Sequence, residues 1–564
     1  MSDVRSSAAR RAPVAALLAL AALLALAALA ALAALLALAA LAACATAPRP
    51  LYLAAPASAG ELDFRPAEAA ADRYGQLTPA VEDSALGNAL ADAVLGATAG
   101  LGMLQPLRDG RLDYLSRDLA GIVALGVQPP FAAVELAQAH HGIAEPTLRL
   151  ISVRADPARP ELAAAAASVR LDELLAAAQP ARFGVGVTQT EDGVAYAVLA
   201  LLESAVDLAP LPRRLPARER TLLRATLRPP HHSPVLAVTR GDGQVERTPL
   251  VATAGAIAAE LVCGAAPERQ QVELLADGPR GLTVLANFPV FCAEEPPRSV
   301  RISLAPPTYE NDTVAAEQRL LVLANLERAR AGRPALRQDA RAATIARLHS
   351  AEMEQGGWVA HDSPITGNPA DRARAGGVRT PLVLENVARA TSSDEVHAAL
   401  LGSPGHRGNL LSADATHVGI GVVLGDGALY VTQLFFRVPP LLELSRARAD
   451  AAAALARARV VAGGPALVRE AALDALAQRA AVELADRPDA RAAVMLRVRH
   501  ALEDPARGLR HAVTVVTVVG DVADVPASAR AAAADFRLLG LGLAQGDDPD
   551  LGPNAIFVVL VLAR

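Results

Sequence analysis

LHSAEMEQGGWVAHDSP (348–364), LENVARA (384–390), LLGSPGHRGNLL (400–411) and HVGIGVVLGDGALYVTQLFFRVPP (417–440) hold the concentrated chemistry of this chain. The surrounding sequence is rich in Ala and Leu, yet this region contains the sole tryptophan, Trp358, and sets His361, Glu385 and His406 in short polar turns between apolar elements. Metal-binding or proton-transferring side chains that sit where elements end, instead of on solvated faces, are better site candidates than average.

Working outward, a chain of 564 residues is too long for one core and should divide into several domains of ordinary size. A hydrophobic content of 52% with 20% charged residues fits a folded protein, although the N-terminal segment and the abundant alanine raise the apolar figure. A formal net charge of -5 steers no partner strongly, and the arginines of DRARAGGVR are interleaved with apolar and acidic residues. Nucleic acid is therefore not an expected partner.

The N-terminus reads MSDVRSSAARR and then runs uncharged from Ala12 to Ala47, which is a charged region followed by an apolar one and implies export. The run is long enough to span a bilayer as a helix. It ends in Leu41-Ala42-Ala43-Cys44, which resembles the lipobox of bacterial lipoproteins. That resemblance implies cleavage after residue 43 and a diacylglycerol on the Cys44 thiol. Ala45 lacks the Asp that retains such proteins at the inner membrane, so an outer-membrane lipoprotein is the expected form. A retained single-span anchor and plain cleavage to a periplasmic or secreted protein stay open. Residues 44–69, rich in Ala and Pro, read as a flexible tether.

The chain repeats. PALRQDARAATIARLHSAEM from Pro334 and PALVREAALDALAQRAAVEL from Pro465 share a Pro-marked turn followed by apolar residues at helical spacing, and a weaker version starts at Pro79. The ends agree too. Phe183-Gly-Val-Gly-Val, Val418-Gly-Ile-Gly-Val and Leu539-Gly-Leu-Gly-Leu are each followed, after a turn-rich segment, by an apolar run such as ALYVTQLFF. Each pair reads as antiparallel strands, and glycines alternating along a strand allow a helix or neighbouring backbone to approach closely. They are not a dinucleotide fingerprint, since the third Gly and the following helix are missing. The expected fold class is α/β: three α-β-α sandwich units at 70–227, 309–440 and 441–564. Residues 228–308 differ, with short β-rich runs and Asp-Gly turns, and read as an inserted small β-sandwich. Cys263 and Cys292, each in an apolar stretch, read as one disulfide in that domain, the alternative being two separate buried thiols.

The middle unit resembles the CAP superfamily (cysteine-rich secretory proteins, antigen 5 and pathogenesis-related proteins), in particular its bacterial SCP-like branch. The resemblance runs in order through Asn325, Arg328, Pro334-Ala-Leu, Trp358-Val-Ala-His361, Glu385-Asn386, Ser403-Pro-Gly-His406-Arg407, Val418-Gly-Ile-Gly and Tyr430-Val-Thr-Gln-Leu-Phe, over about 312–438. It implies a cleft lined by His361, His406 and Glu385, which in some members holds a divalent cation. Ser403 stands where eukaryotic members have a second acid. Two imidazoles and a carboxylate can ligate Zn2+ or a similar ion with water completing the shell. The flanking units then resemble degenerate CAP copies, with Val169 or Arg170 and Ala527 in place of His406, and with His140-His141 too early to substitute.

Plainer readings stand beside this one. His361 can cap a loop, Glu385-Asn386 can start a helix, Trp358 can anchor packing, and His397 and His417 read as incidental. Ser363 and Ser403 lie near histidines but lack a nucleophile elbow, and a Ser before Pro-Gly is first a turn residue. The expected function is noncatalytic binding at the cell envelope, the ligand being an envelope lipid, a small apolar molecule or a protein. The competing readings are a metal-assisted hydrolase acting on envelope material and a structural scaffold.

Overall fold

The computed structural model describes residues 60–564 except 82, 147, 177, 305–309, 426, 462–465 and 526–535. The apolar run from Ala12, the Cys44 motif, the tether as far as residue 59, and Ala527 lie outside the described residues. Among the described residues no helix is long and apolar enough to cross a membrane.

The chain opens with β1 (Glu61–Phe64) and β2 (Arg73–Tyr74). Then come α1 (Ala85–Gly100), β3 (Leu107–Arg108), α2 (Gly110–Ala124), α3 (Phe131–His140), β4 (Leu148–Ala155), α4 (Pro160–Leu175), β5 (Arg182–Gln189) and β6 (Ala195–Leu202). A β-rich stretch follows: β7 (Val206–Leu208), β8 (Leu211–Pro212), β9 (Arg214–Leu215), β10 (Arg220–Leu227), β11 (His232–Thr239) and β12 (Val245–Pro249). It continues through β13 (Ala256–Val262), β14 (Glu268–Gly278), β15 (Gly281–Cys292) and β16 (Val300–Ser303). The central unit has α5 (Thr313–Arg330), β17 (Arg337–Gln338), α6 (Ala340–Gly356), α7 (Pro369–Ala375), β18 (Val383–Ala390), α8 (Ser393–Leu401), α9 (Pro404–Leu410), β19 (His417–Gly425) and β20 (Ala428–Phe436). The last has α10 (Leu444–Val461), β21 (Val468–Arg469), α11 (Ala471–Asp486), α12 (Arg491–Leu502), β22 (Ala512–Val519), β23 (Leu538–Asp548) and β24 (Gly552–Ala563).

Three four-stranded sheets have one strand order: β3-β5-β6-β4, β17-β19-β20-β18 and β21-β23-β24-β22. In each, a two-residue strand pairs parallel and the remaining pairings are antiparallel. The central sheet is packed on one side by α5, α8 and α9 through Leu320, Val396, Leu410 and Phe435, and on the other by α6 and α7 through Ile345, Ala373 and Leu434. That is an α-β-α sandwich. The strand glycines explain how the helix comes so close. A Cβ built on Gly186, Gly421 or Gly542 would stand 2.0–2.1 Å from the backbone of α2, α6 or α11.

The helix beginning after Pro79 takes a different place from the one its sequence suggests. It is α1, the first helix of its unit. The counterpart of Pro334-Ala-Leu-Arg is Leu104-Gln105-Pro106-Leu107, leading into α2, since Arg108 pairs with Phe183 as Gln338 pairs with Val418. The outer units also share a contact. Arg108 bonds Asp113, which accepts the Val185 N–H at 2.8 Å, and Arg469 bonds Asp474, which accepts the Leu541 N–H at 2.8 Å.

The inserted domain consists of two facing sheets, β13-β10-β7 and β12-β11-β14-β15-β9, whose apolar faces bury Leu223, Ile257, Leu236, Val272 and Phe288 together. It therefore begins at Val206, ahead of the expected boundary at 228. The stretch PLPRRLPARERTLL hides strands under prolines and arginines, and β10 alternates buried Leu223, Ala225 and Leu227 with solvated residues. Cys263 and Cys292 are disulfide-bonded within it. The expectation of a flexible tether through residue 69 also fails at its end, because β1 pairs antiparallel with β16.

Candidate functional site

The site begins where α6 stops. Gly357 adopts φ 65°, a left-handed conformation that Gly reaches without strain, and the Trp358 N–H turns back onto the Met353 carbonyl. Trp358 then packs against Met353, Val387 and Tyr430, so its role here is anchoring. His349, fully buried on α6, bonds the Ala360 carbonyl through Nε2 at 3.0 Å and pins the following loop. Burial lowers the pKa of His349. Next in the chain is His361.

Glu385 is not at a helix start. It lies in β18, opposite Leu434 of β20, and is fully enclosed. Its Oε1 is 3.0 Å from His361 Nδ1 and its Oε2 accepts from Arg372 Nη2 at 2.6 Å. Arg372 is carried by α7, whose first turn is fixed by a capping box between Asn368 and Asp371 with Pro369 following the cap. Burial by itself would raise the Glu385 pKa. The His361 hydrogen bond and the Arg372 charge outweigh it and hold the carboxyl below its ordinary range.

His406 is carried by α9, whose N-cap is Ser403. The next residue in β18, Asn386, donates to the His406 carbonyl at 3.1 Å, and Asn409 of α9 donates to the Glu385 carbonyl at 2.9 Å. These bonds bind α9 to the strand that holds the acid. From the other end, the buried Arg328 guanidinium donates to the carbonyls of Leu410, Ser412 and Ala415. The rings of His361 and His406 face each other with centroids 6.0 Å apart. Neither ring nitrogen of His406 has a hydrogen-bond partner among the described residues. Burial, with His361 and Arg247 nearby, pulls its pKa down to about 3, so the ring is neutral at ordinary pH.

The structure thus brings together the three residues expected from the sequence, but Glu385 meets His361 and Arg372 with its two oxygens. Among the described residues, no group of three or more His, Cys, Asp or Glu side chains has an arrangement that could hold a metal ion. Two imidazoles are a different case. Ligated to one ion at about 2.0–2.1 Å they place their centroids about 5–6 Å apart. An acid on the far nitrogen of a ligating histidine is the usual orienting partner. The residues fit a two-histidine site with Glu385 behind it, not a His-Glu-His ligand set.

Neither serine is poised as a nucleophile. Ser363 Oγ accepts the N–H groups of Ile365 and Thr366, and Ser403 Oγ donates to Glu273 and accepts from the His406 N–H. His397 is buried on α8 and His417 stacks on Phe436 at the start of β19. In the first unit, His141 pairs with Asp118 at 2.7 Å and His140 with the Glu68 carbonyl at 2.8 Å, both away from the central site.

Residues 321–435 match the cysteine-rich secretory protein family. This region is a CAP domain. Over 141 residues the chain is 33% identical to YkwD, an uncharacterised protein of Bacillus subtilis, covering 23% of this chain and 54% of that one. A second B. subtilis protein, the uncharacterised membrane protein YlbC, is 32% identical over 123 residues, 22% of this chain and 34% of its own. The chain therefore spans about half or less of the length of these relatives. A crystal structure of an extracellular SCP-domain protein from Bacillus anthracis shares 22% identity over 39% of this chain and 65% of that one, with a TM-score of 0.22.

Around the CAP domain are residues the sequence did not point to: Arg372, His349 and, from the β-sandwich, Glu273, Arg247 and Arg280. Arg372 sits in a run of scattered arginines. Glu273 is hidden in QQVELLADG, which reads as an ordinary apolar strand.

Proposed function

We propose that this chain is an exported, noncatalytic binding protein of the bacterial cell envelope, whose CAP domain holds a divalent cation such as Zn2+ between His361 and His406. The observation that carries the reading is the His406 ring, which has no hydrogen-bond partner among the described residues and lies 6.0 Å, centroid to centroid, from the ring of His361, whose Nδ1 is already held by Glu385. Each ring thus has a nitrogen left for a ligand, and neutral imidazole is the ligating form. Glu385 orients His361 and fixes its tautomer, and Arg372 keeps that carboxylate ionised. A bound ion with open positions would supply a Lewis-acid contact to an anionic or carbonyl-bearing partner. The serines' engagement in turns weighs against a serine hydrolase.

Export is supported by the charged and then apolar N-terminus, attachment through a lipid on Cys44 by the Leu41–Cys44 motif, and the outer membrane as its destination by Ala45, which is not the Asp that retains such proteins at the inner membrane. We read the sheets flanking the CAP domain as degenerate copies of it. Supporting this are the common strand order and the repeated glycine–helix approach, together with the lack of counterparts to His361 and Glu385 among the described residues. Their work is then spacing or presentation of a surface to an envelope lipid, a small apolar ligand or a protein.

Calorimetric titration of Zn2+ into Ser58–Arg564, a compact unit by itself, tests the site beside the His361→Ala/His406→Ala double variant. Stoichiometric binding lost in a folded variant is the expected result. Absence of binding by the parent protein sinks the cation proposal and moves the weight to a protein-interaction or scaffold role.

A further inference from the structure

The two histidines stand on two separate walls. His361 is on the loop after α6 and His406 is in the first turn of α9. Each wall is gripped from outside the CAP domain, by the β-sandwich.

At the first wall, the Asp362 N–H, next in chain to His361, donates to the Arg280 carbonyl at 3.0 Å. The Arg280 guanidinium lies 5.3 Å from the centroid of the Trp358 ring, within reach of a cation–π attraction. Arg280 occupies the turn between β14 and β15. At the second wall, Glu273 of β14 is fully buried and accepts from Ser403 Oγ at 2.7 Å and from the Gly405 N–H at 2.6 Å. Arg247 of β12 donates to the Gly405 carbonyl and, at 3.1 Å, to Asn409 Oδ1. Asn287 of β15 donates to the Gly402 carbonyl at 3.1 Å, and Arg407 Nε donates to the Gly243 carbonyl at 3.3 Å. The sandwich therefore touches the residues on both sides of His406 and the residue after His361.

The Glu273 contact is the most constrained of these. Ser403 Oγ gives its proton to Glu273 and takes the His406 N–H at 3.3 Å, so carboxylate, hydroxyl and histidine backbone form one chain. Gly405 has no room to shift toward β14, since even a Cβ there would stand 2.8 Å from Glu273 Oε2. Hydrogen bonds to both oxygens of one buried carboxyl fix the direction of each donor.

We infer that the inserted β-sandwich is an integral wall of the CAP-domain site, and that Glu273 is the positioning residue that sets the His406 ring against His361. Glu273 reaches the turn at Ser403, and it does so from a different domain. The consequence for ligand affinity rests on the two-histidine reading above. The positioning itself does not, and it can be measured without a ligand.

The test uses Ser58–Arg564 with 15N-labelled histidine, compared with Glu273→Gln. Gln keeps the size of Glu but cannot accept at both ends of its head group. The His406 ring signals, assigned by their loss in His406→Gln, should shift or broaden in Glu273→Gln, while those of His140 in the first unit stay in place. Unmoved His406 signals overturn the inference. Ser403→Ala breaks the same chain from the CAP side and should displace the same signals, which keeps the test decisive if Glu273→Gln fails to fold. Zn2+ titration is the second readout. Affinity should drop about tenfold or more in Glu273→Gln, as for other residues that orient a ligand, with a similar thermal midpoint. Equal zinc affinity in both proteins overturns the inference and leaves the two-histidine reading intact. No zinc binding by the parent protein overturns that reading, and the ring signals still decide the role of Glu273.

Discussion

Glu273 has an acid–base property that follows from its place. Burial pushes its carboxyl up to about 7, against the opposing pull of the Ser403 and Gly405 donors and the Arg247 charge. A raised carboxyl means that the folded protein retains a proton the unfolded chain has already lost. Stability contributed this way is full below the ordinary glutamate range and declines as pH rises toward 7. The size is about 3 kcal/mol for a shift of this order. Denaturant unfolding at pH 5 and pH 8 should therefore show a larger loss at the higher pH for the parent protein than for Glu273→Gln. Equal losses would mean that the residue ionises normally. None of this is visible in the amino-acid string, where Glu273 is one acid within an apolar strand. His361, Glu385 and His406 were legible because each stands in a short polar motif of its own. Arg372 was not, because nothing local marks which of several arginines will face a carboxylate across the fold.

At the scale of elements, the reading of strand glycines as seats for a helix is borne out three times, against α2, α6 and α11. Ala at Gly421 would push a Cβ to 2.1 Å from the Arg347 backbone nitrogen. Overpacking of this kind costs about 1–3 kcal/mol or more. Gly421→Ala and Gly542→Ala should both lower the denaturation midpoint by that order. An unchanged midpoint in either would mean that its helix can move away freely. Strand β18 was missed as a strand because Glu385-Asn386 carries an equally good helix-start signature. Its backbone conformation is decided by pairing with β20, a contact between residues far apart in sequence. The start of the sandwich was missed for a related reason: prolines and arginines in β8 to β10 lower local strand propensity, and alternation survives only in β10.

For the whole molecule, two seams join the CAP domain to its neighbours, and they differ in character. On the C-terminal side, Arg437 pairs with Asp521, while Asn554 and Gln545 donate to the carbonyls of Pro439 and Pro440. The Arg437 and Asp521 side chains keep 21% and 43% of their surface in solvent, and pairs so wetted contribute under about 1 kcal/mol. The sandwich seam has Glu273 fully buried, so its removal strands the Ser403 and Gly405 donors at a cost of about 1–3 kcal/mol. Arg437→Ala should thus leave thermal stability nearly unchanged while Glu273→Ala lowers it, and the reverse order in a calorimetric scan would contradict this ranking.

The pairing of β1 with β16 has a mechanical side. Glu61 lies opposite Ser303, and the Leu304 N–H bonds the Gly60 carbonyl at 2.8 Å, so the chain enters and leaves its first half at one point. Everything between those strands, the first α/β unit and the sandwich alike, is a closed loop of chain, whose sandwich is also bonded to the CAP domain through Glu273, Arg247 and Arg280. Tension applied ahead of Gly60 would load this short antiparallel pair first and peel it one rung at a time from that end. Until the pair gives way, the force does not run through the covalent chain of the loop.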